Sequence, residues 1–281
     1  MFSTASLCPE GGLPSAFYPG GSGPSSFKQK SAAEKRKKFL RRLVKFRQMD
    51  FEFALWQFLY LFVSPQKVYR NFQYRYSTKN QYARDDPAFL VLLAICLTVS
   101  SAVFSVVLGL GFFGFLKFFL WTVFVDTIAV GMLVATTLWF LANRYLVMQS
   151  RHRRPGMGGG VGASLGEVGE SEIEWAYAFD IHLNAIVPVI TILHGVILLL
   201  ISLVTHSNVA SVAIGNLLWV VSVGYYVYIT FLGYSSLSIL HSTQLLLYPL
   251  LPTLFLYCLS IMFSWNYTTW LLSFYSSRVQ S

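Results

Sequence analysis

The chain has 281 residues, of which 55% are hydrophobic, 17% aromatic and only 12% charged. Soluble domains carry about twice that share of charge, so a soluble globular protein is excluded and a membrane protein is expected. The net charge of +9 belongs to one segment, because 15 of the 21 Lys and Arg residues lie between Lys28 and Arg84, and it is read as a local surface.

The chain begins with a Pro-, Gly- and Ser-rich stretch without an apolar run, so no cleaved signal peptide is visible and residues 1–35 read as a disordered tail. Residues 36–87 form a basic, amphipathic region. Lys28–Arg47 holds ten Lys or Arg and one acid, Glu34. Lys35, Arg36, Lys37, Lys38, Arg41 and Arg42 are candidates for contact with anionic lipid headgroups, worth about 1 kcal/mol each near the surface. RNA phosphates are the alternative ligand, although sequence-specific single-strand readers usually add exposed stacking aromatics. Cationic segments stay in the cytosol, which orients the N terminus. From Phe39 to Val63 the basic pattern turns apolar, but Asp50, Glu52 and Gln57 interrupt it. One or two interfacial helices are expected there instead of a sixth span, with a break at Ser64-Pro65.

The rest, residues 88–281, reads as a five-span domain. The spans are Ala88–Leu110, Phe115–Ala142, Ala185–Val204, Val209–Gly233 and Gln244–Phe263, each near the ~20 residues that cross a bilayer core. Gly111-Phe112-Phe113-Gly114 and His206-Ser207-Asn208 are short turns without Lys or Arg, which suits the lumenal side. The connection Asn143–Asn184 carries Arg144, Arg151, Arg153 and Arg154, which suits the cytosol. Within it, residues 155–169 are a glycine-rich flexible insert, and Glu172–Asp180 mixes acidic and aromatic residues as interfacial segments do. Five crossings then leave the C terminus in the lumen. The sequon Asn266-Tyr267-Thr268 lies on that side but so near the last span that efficient glycosylation is not expected. The fold class is therefore an all-α membrane protein with about five transmembrane helices and an interfacial amphipathic N-terminal helical region.

Little in this chain reads as chemistry. Asp126 is the one acid within a predicted span, which makes it a candidate intramembrane polar site or a helix-to-helix hydrogen bond, with His182, His194 or Asn216 as partner. His182 and His194 have no acid at metal-ligand spacing and read as satisfied interior histidines. Cys8, Cys96 and Cys258 are isolated. Gly109–Gly114 matches a dinucleotide fingerprint literally, but it follows a membrane helix and not a strand, and its glycines suit a tight turn. No nucleophile stands beside a base. Neither an enzyme nor a cofactor is expected. Asp85-Asp86-Pro87 reads as a helix start, with the acids near the first turn. Gly131 with Ala135 and Ser211 with Gly215 permit close helix packing, within or between chains.

Several long motifs carry a resemblance. Arg47-Gln48-Met49-Asp50-Phe51-Glu52-Phe53-Ala54 is followed by Ser64-Pro65-Gln66-Lys67-Val68-Tyr69-Arg70-Asn71-Phe72, and Ala83–Phe89 enters the first span. Tyr177–Ala185 enters the third span and Gly224–Tyr234 closes the fourth. With these motifs the chain, from about Arg36 onward, resembles the Unc-fifty (uncoordinated-fifty) family of Golgi multi-pass membrane proteins. The insert 155–169 and the N-terminal tail depart from the family. The resemblance implies a Golgi protein of membrane traffic, associated with assembly and surface delivery of nicotinic acetylcholine receptors and with a Golgi Arf guanine-nucleotide exchange factor. It also implies an alternative, an RNA-binding protein of the inner nuclear membrane. The expected partners are thus membrane lipids, the exchange factor, receptor cargo and, in the alternative, RNA. No catalytic residue is implied. Arg47, Asp50, Glu52, Tyr69 and Arg70 in the two cytosolic motifs are the candidate docking residues.

Overall fold

The computed structural model describes residue 41 and residues 49–79, 84, 86–147 and 173–280. The N-terminal tail, the insert 155–169 and the basic candidates Lys35, Arg36, Lys37, Lys38, Arg42 and Arg47 lie outside the described residues. Arg41 is exposed. Among the described residues the fold is helical, with a single isolated bridge between Val147 and Leu240.

Five helices are long and apolar enough to cross a membrane, so the chain is a multi-pass membrane protein. They are α3 (Ala88–Val107), α4 (Phe112–Leu146), α5 (Trp175–Leu199), α6 (Val209–Ser235) and a fifth span, Thr243–Met262, whose regular part is α7 (Leu250–Met262). Four of the five sit close to the apolar runs of the sequence. The exception is α5, which starts ten residues before the predicted Ala185, so Asp180 joins Asp126 as an acid within a span. The first hairpin turn also differs: Gly109, at φ 65°, makes the bend, and Phe112 to Gly114 are already helical. We call the end carrying Ala88, Leu146 and Trp175 the near end, and the end carrying Gly109, Val204 and Asn208 the far end.

Before the spans, α1 (Phe51–Val63) and α2 (Pro65–Lys79) form a hairpin. Thirteen residues make α1 about 20 Å long, too short to cross. Asp50 starts it by accepting a hydrogen bond from the Phe53 N–H at 2.9 Å. Ala54, Gln57 and Leu61 recur at helical spacing and are buried against α3 and α5. The opposite face, Leu55, Leu59 and Val63, is 50%, 56% and 81% exposed, an apolar stripe suited to lipid. The turn is at Ser64-Pro65, where proline opens α2 at a position whose N–H has no intrahelical partner. Beyond the turn, Gln66 donates to the Tyr228 hydroxyl at 3.1 Å, so the tip lies alongside the middle of α6.

Lipid is as apolar as leucine, so these helices associate through close packing and hydrogen bonds rather than hydrophobic segregation. Small residues accordingly sit where backbones meet. Gly131 of α4 faces His182 and Phe179 of α5, Gly233 of α6 faces Ile181, and Gly215 faces Val204. The small-residue pairs therefore pack within the chain. Three stretches widen to π-helix, Thr122–Ala129, Ala142–Leu146 and Ile192–Val196. In the first, the Thr127 carbonyl accepts from His182 Nε2 at 3.1 Å, which meets the need of the disturbed ladder for an outside partner.

The far end is closed by an element with no counterpart in the hydropathy pattern. Helix α8 (Tyr267–Gln280) follows α7 and packs against α4 and α6. Asn266 begins it: its carbonyl oxygen accepts from the N–H groups of Thr268 and Thr269, and its amide donates to the Val204 carbonyl at 2.6 Å. Asn266 and Thr268 are both buried, and Trp219 Nε1 donates to the Thr268 hydroxyl at 3.3 Å. Both sequon side chains are thus inside the bundle. No glycan is expected on Asn266 of the folded protein, and peptide N-glycosidase treatment should leave its electrophoretic mobility unchanged. A shift would show that the site is modified before α8 docks. Asn266→Ala should cost about 1–2 kcal/mol through the lost cap.

Candidate functional site

The near end holds a group of buried polar side chains with long-range partners. Arg84 precedes α3, and its Nε lies 3.0 Å from Asp180 Oδ1 on α5; both side chains are under 10% exposed. One helical turn along α5, Asn184 Oδ1 accepts from Arg84 Nη2 at 2.8 Å and from Gln57 Nε2 of α1 at 2.9 Å. Two donors converge on that atom, which assigns it as the amide oxygen. The Arg84 guanidinium also lies 3.9 Å from the centroid of Phe89. Tyr69 of α2 is buried beside Asn184, Asp180 and Arg84, and burial holds its hydroxyl well above the usual tyrosine range, hence protonated. Four elements thus meet on one ion pair. Around it, Met49, Leu61, Val68, Phe89, Leu93, Leu183 and Ile229 form the surrounding apolar core.

A second link joins the starts of α1 and α3. Asp86 Oδ2 accepts from the Asp50 N–H at 3.0 Å, and Oδ1 accepts from the Ala88 N–H at 3.1 Å. Asp86 is therefore a helix cap that also ties down the hairpin, while Pro87 occupies the cap position itself. Asp85 lies outside the described residues.

The predicted docking residues separate. Glu52 and Arg70 are exposed, Asp50 is exposed while its carboxylate caps α1, and Tyr69 is 3% exposed. Tyr69 consequently presents no side chain to a soluble partner and belongs to the cluster beneath the hairpin. Sequence reasoning missed Gln57, Arg84, Asp180 and Asn184 as a group. The available signal was a glutamine on the same helical face as Ala54 and Leu61, where an unpaired amide would be costly.

Asp126 is half-buried, and its partner is none of the three residues expected. Tyr275 of α8 donates its hydroxyl to Asp126 Oδ2 at 2.8 Å. His182 lies between Thr127 and Tyr226, His194 Nδ1 lies 2.7 Å from the Ser100 hydroxyl, and Asn216 donates to Ser260 and the Trp265 carbonyl. Sequence reasoning had no α8 from which to draw Tyr275. Asp126 is thus a link between spans and the C-terminal helix. Among the described residues no three His, Cys, Asp or Glu side chains gather closely enough to hold a metal.

Comparison with known proteins gives one consistent result. The model of the UNC-50 family matches residues 39–276. The chain is 51% identical to "Protein unc-50 homolog" of Homo sapiens over 252 residues, covering 89% of this chain and 90% of that protein. The Bos taurus protein of the same name gives the same identity and coverage. "Protein unc-50" of Caenorhabditis elegans is 46% identical over 251 residues, covering 89% of this chain and 77% of the relative. No solved structure matches.

Proposed function

The chain belongs to the UNC-50 family, and on that premise we propose that it is a Golgi trafficking scaffold whose near end faces the cytosol and recruits an Arf guanine-nucleotide exchange factor in support of receptor assembly and surface delivery. The orientation is supported by the concentration of Lys and Arg before Ala88 and between Arg144 and Arg154. One structural observation carries the docking surface. The α1–α2 hairpin exposes Glu52 and Arg70, while Gln57 is hydrogen-bonded to Asn184 beside the Arg84–Asp180 pair and Tyr69 is buried against the same cluster. A surface held in this way is preorganised and loses little freedom on binding a partner.

The test is recovery of the exchange factor with the gently solubilised full-length protein. Reversing both charges in Glu52→Arg with Arg70→Glu should lower recovery at least fivefold with the protein's abundance unchanged, because neither side chain is buried. Equal recovery would move the docking surface off the hairpin. The alternative, RNA binding through the basic segment, is supported by charge alone. It requires ultraviolet crosslinks that vanish when Lys35, Arg36, Lys37, Lys38, Arg41 and Arg42 are neutralised.

A further inference from the structure

At the far end, well removed from the hairpin, α4 and α8 enclose a groove of about 490 Å³ lined by Lys117, Leu120, Trp121, Phe124, Val125, Tyr275 and Arg278. Its two cations come from opposite halves of the sequence. Lys117 is the only basic residue in the first thirty of α4, and Arg278 the only charged residue of α8; both are exposed. A lysine about 8 Å from the start of an apolar span is costly unless its ammonium reaches the interface or an anion. Beyond it the lining turns apolar, through Leu120 to Phe124, the latter 58% exposed. The groove therefore runs from a cationic rim near the end of the bundle to an apolar floor deeper along α4.

That gradient matches one class of molecule: an acidic head on an aliphatic chain, at the depth a membrane lipid occupies. We propose that this groove binds an anionic phospholipid, its phosphate between Lys117 and Arg278 and an acyl chain over Leu120 and Phe124. The walls are fixed for the purpose. The Tyr275–Asp126 hydrogen bond pins α8 to α4, and Tyr275 packs edge-on against Phe118 with centroids 5.0 Å apart. The Arg278 guanidinium lies 6.0 Å from the Trp121 ring and 5.4 Å from Phe274, so the aromatic surface steers it to the rim. The site needs both cations in one place, which only the docking of α8 brings about. A bound anionic lipid would in turn hold α8 against the spans, which makes closure of the far end responsive to lipid composition.

Native mass spectrometry of the full-length protein in mild detergent tests this, with dioleoyl phosphatidylglycerol and dioleoyl phosphatidylcholine supplied in competition. The wild type should retain one phosphatidylglycerol in preference, and Lys117→Gln with Arg278→Gln should weaken that retention about tenfold. Leu120→Trp, which fills the apolar floor and keeps both charges, should weaken it as well. Glycerol 1-phosphate, which has the phosphate without the chains, should not displace the lipid. Equal retention by the charge variant, equal retention of the two lipids, or displacement by glycerol 1-phosphate would each overturn the proposal. Neutralising two exposed cations leaves the buried contacts of α8 in place, so in detergent without added lipid the thermal midpoint of that variant should match the wild type, which separates lost binding from lost fold.

Discussion

Arg84→Ala is expected to lose about 3–5 kcal/mol of stability, because it strands Asp180 in a site where water cannot replace the guanidinium. The arginine also donates to Asn184, and its loss removes one of the two donors that converge on Asn184 Oδ1. Asp180→Asn should be milder, since the amide oxygen still accepts from Arg84. Removing both charges tests the mechanism. Arg84→Met with Asp180→Leu should recover most of the loss, because a buried pair costs nearly as much desolvation as it returns in attraction. Reversible unfolding in mixed micelles, followed by tryptophan fluorescence, would measure all three. If Arg84→Ala fell within about 1 kcal/mol of the wild type, the pair would be behaving like a hydrated surface salt bridge and the anchoring role would fail. The same experiment bears on function. On the proposed reading, Arg84→Ala should release the hairpin and reduce exchange-factor recovery at temperatures where the spans remain folded.

The second large effect falls on two glycines that grip α5 at consecutive residues. A Cβ on Gly131 would lie 2.5 Å from His182 Cδ2 and Nε2 and 3.2 Å from Phe179. His182 cannot swing aside freely, because Nε2 donates to the Thr127 carbonyl while Nδ1 bonds the Tyr226 hydroxyl at 2.8 Å. On Gly233 the added carbon would meet three atoms of Ile181 at 2.8–3.0 Å, and Ile181 is itself 1% exposed. Gly131→Ala and Gly233→Ala should each cost about 1–3 kcal/mol through forced separation of the helices. Gly195→Ala supplies the comparison. No atom lies within 4 Å of a Cβ there, so that change should be neutral or stabilise the helix by up to about 1 kcal/mol. Thermal midpoints of the three variants would decide the matter, and a Gly131→Ala midpoint equal to that of Gly195→Ala would mean that α4 and α5 are less closely packed than the structure shows.

By itself the sequence determined the class, the number of spans and the second of the two short hairpin turns, whereas the first lies a few residues earlier than expected. Each of these depends on the cost of moving residues one after another from water into lipid, a quantity that adds up along the chain. It also marked the Ser64-Pro65 break and the helix start at Asp86-Pro87, because both follow from local backbone chemistry. Only the tertiary structure decided which residues meet. In a soluble helix the apolar stripe reveals the packing face, but a span is apolar all round, and residues that face lipid read the same as those that face a neighbour. For this reason Asp126 found Tyr275 instead of a histidine, Tyr69 turned inward among apparent docking residues, and the small-residue pairs proved to pack within the chain. The beginning of α5 was missed for a related reason. Glu174, Asp180 and Asn184 lower its hydropathy to that of a loop, and the arginine that makes Asp180 acceptable there lies almost a hundred residues earlier. The juxtaposition of Arg84 with Asp180, like that of Lys117 with Arg278, is a property of helix arrangement, and no linear pattern of hydropathy or charge encodes it.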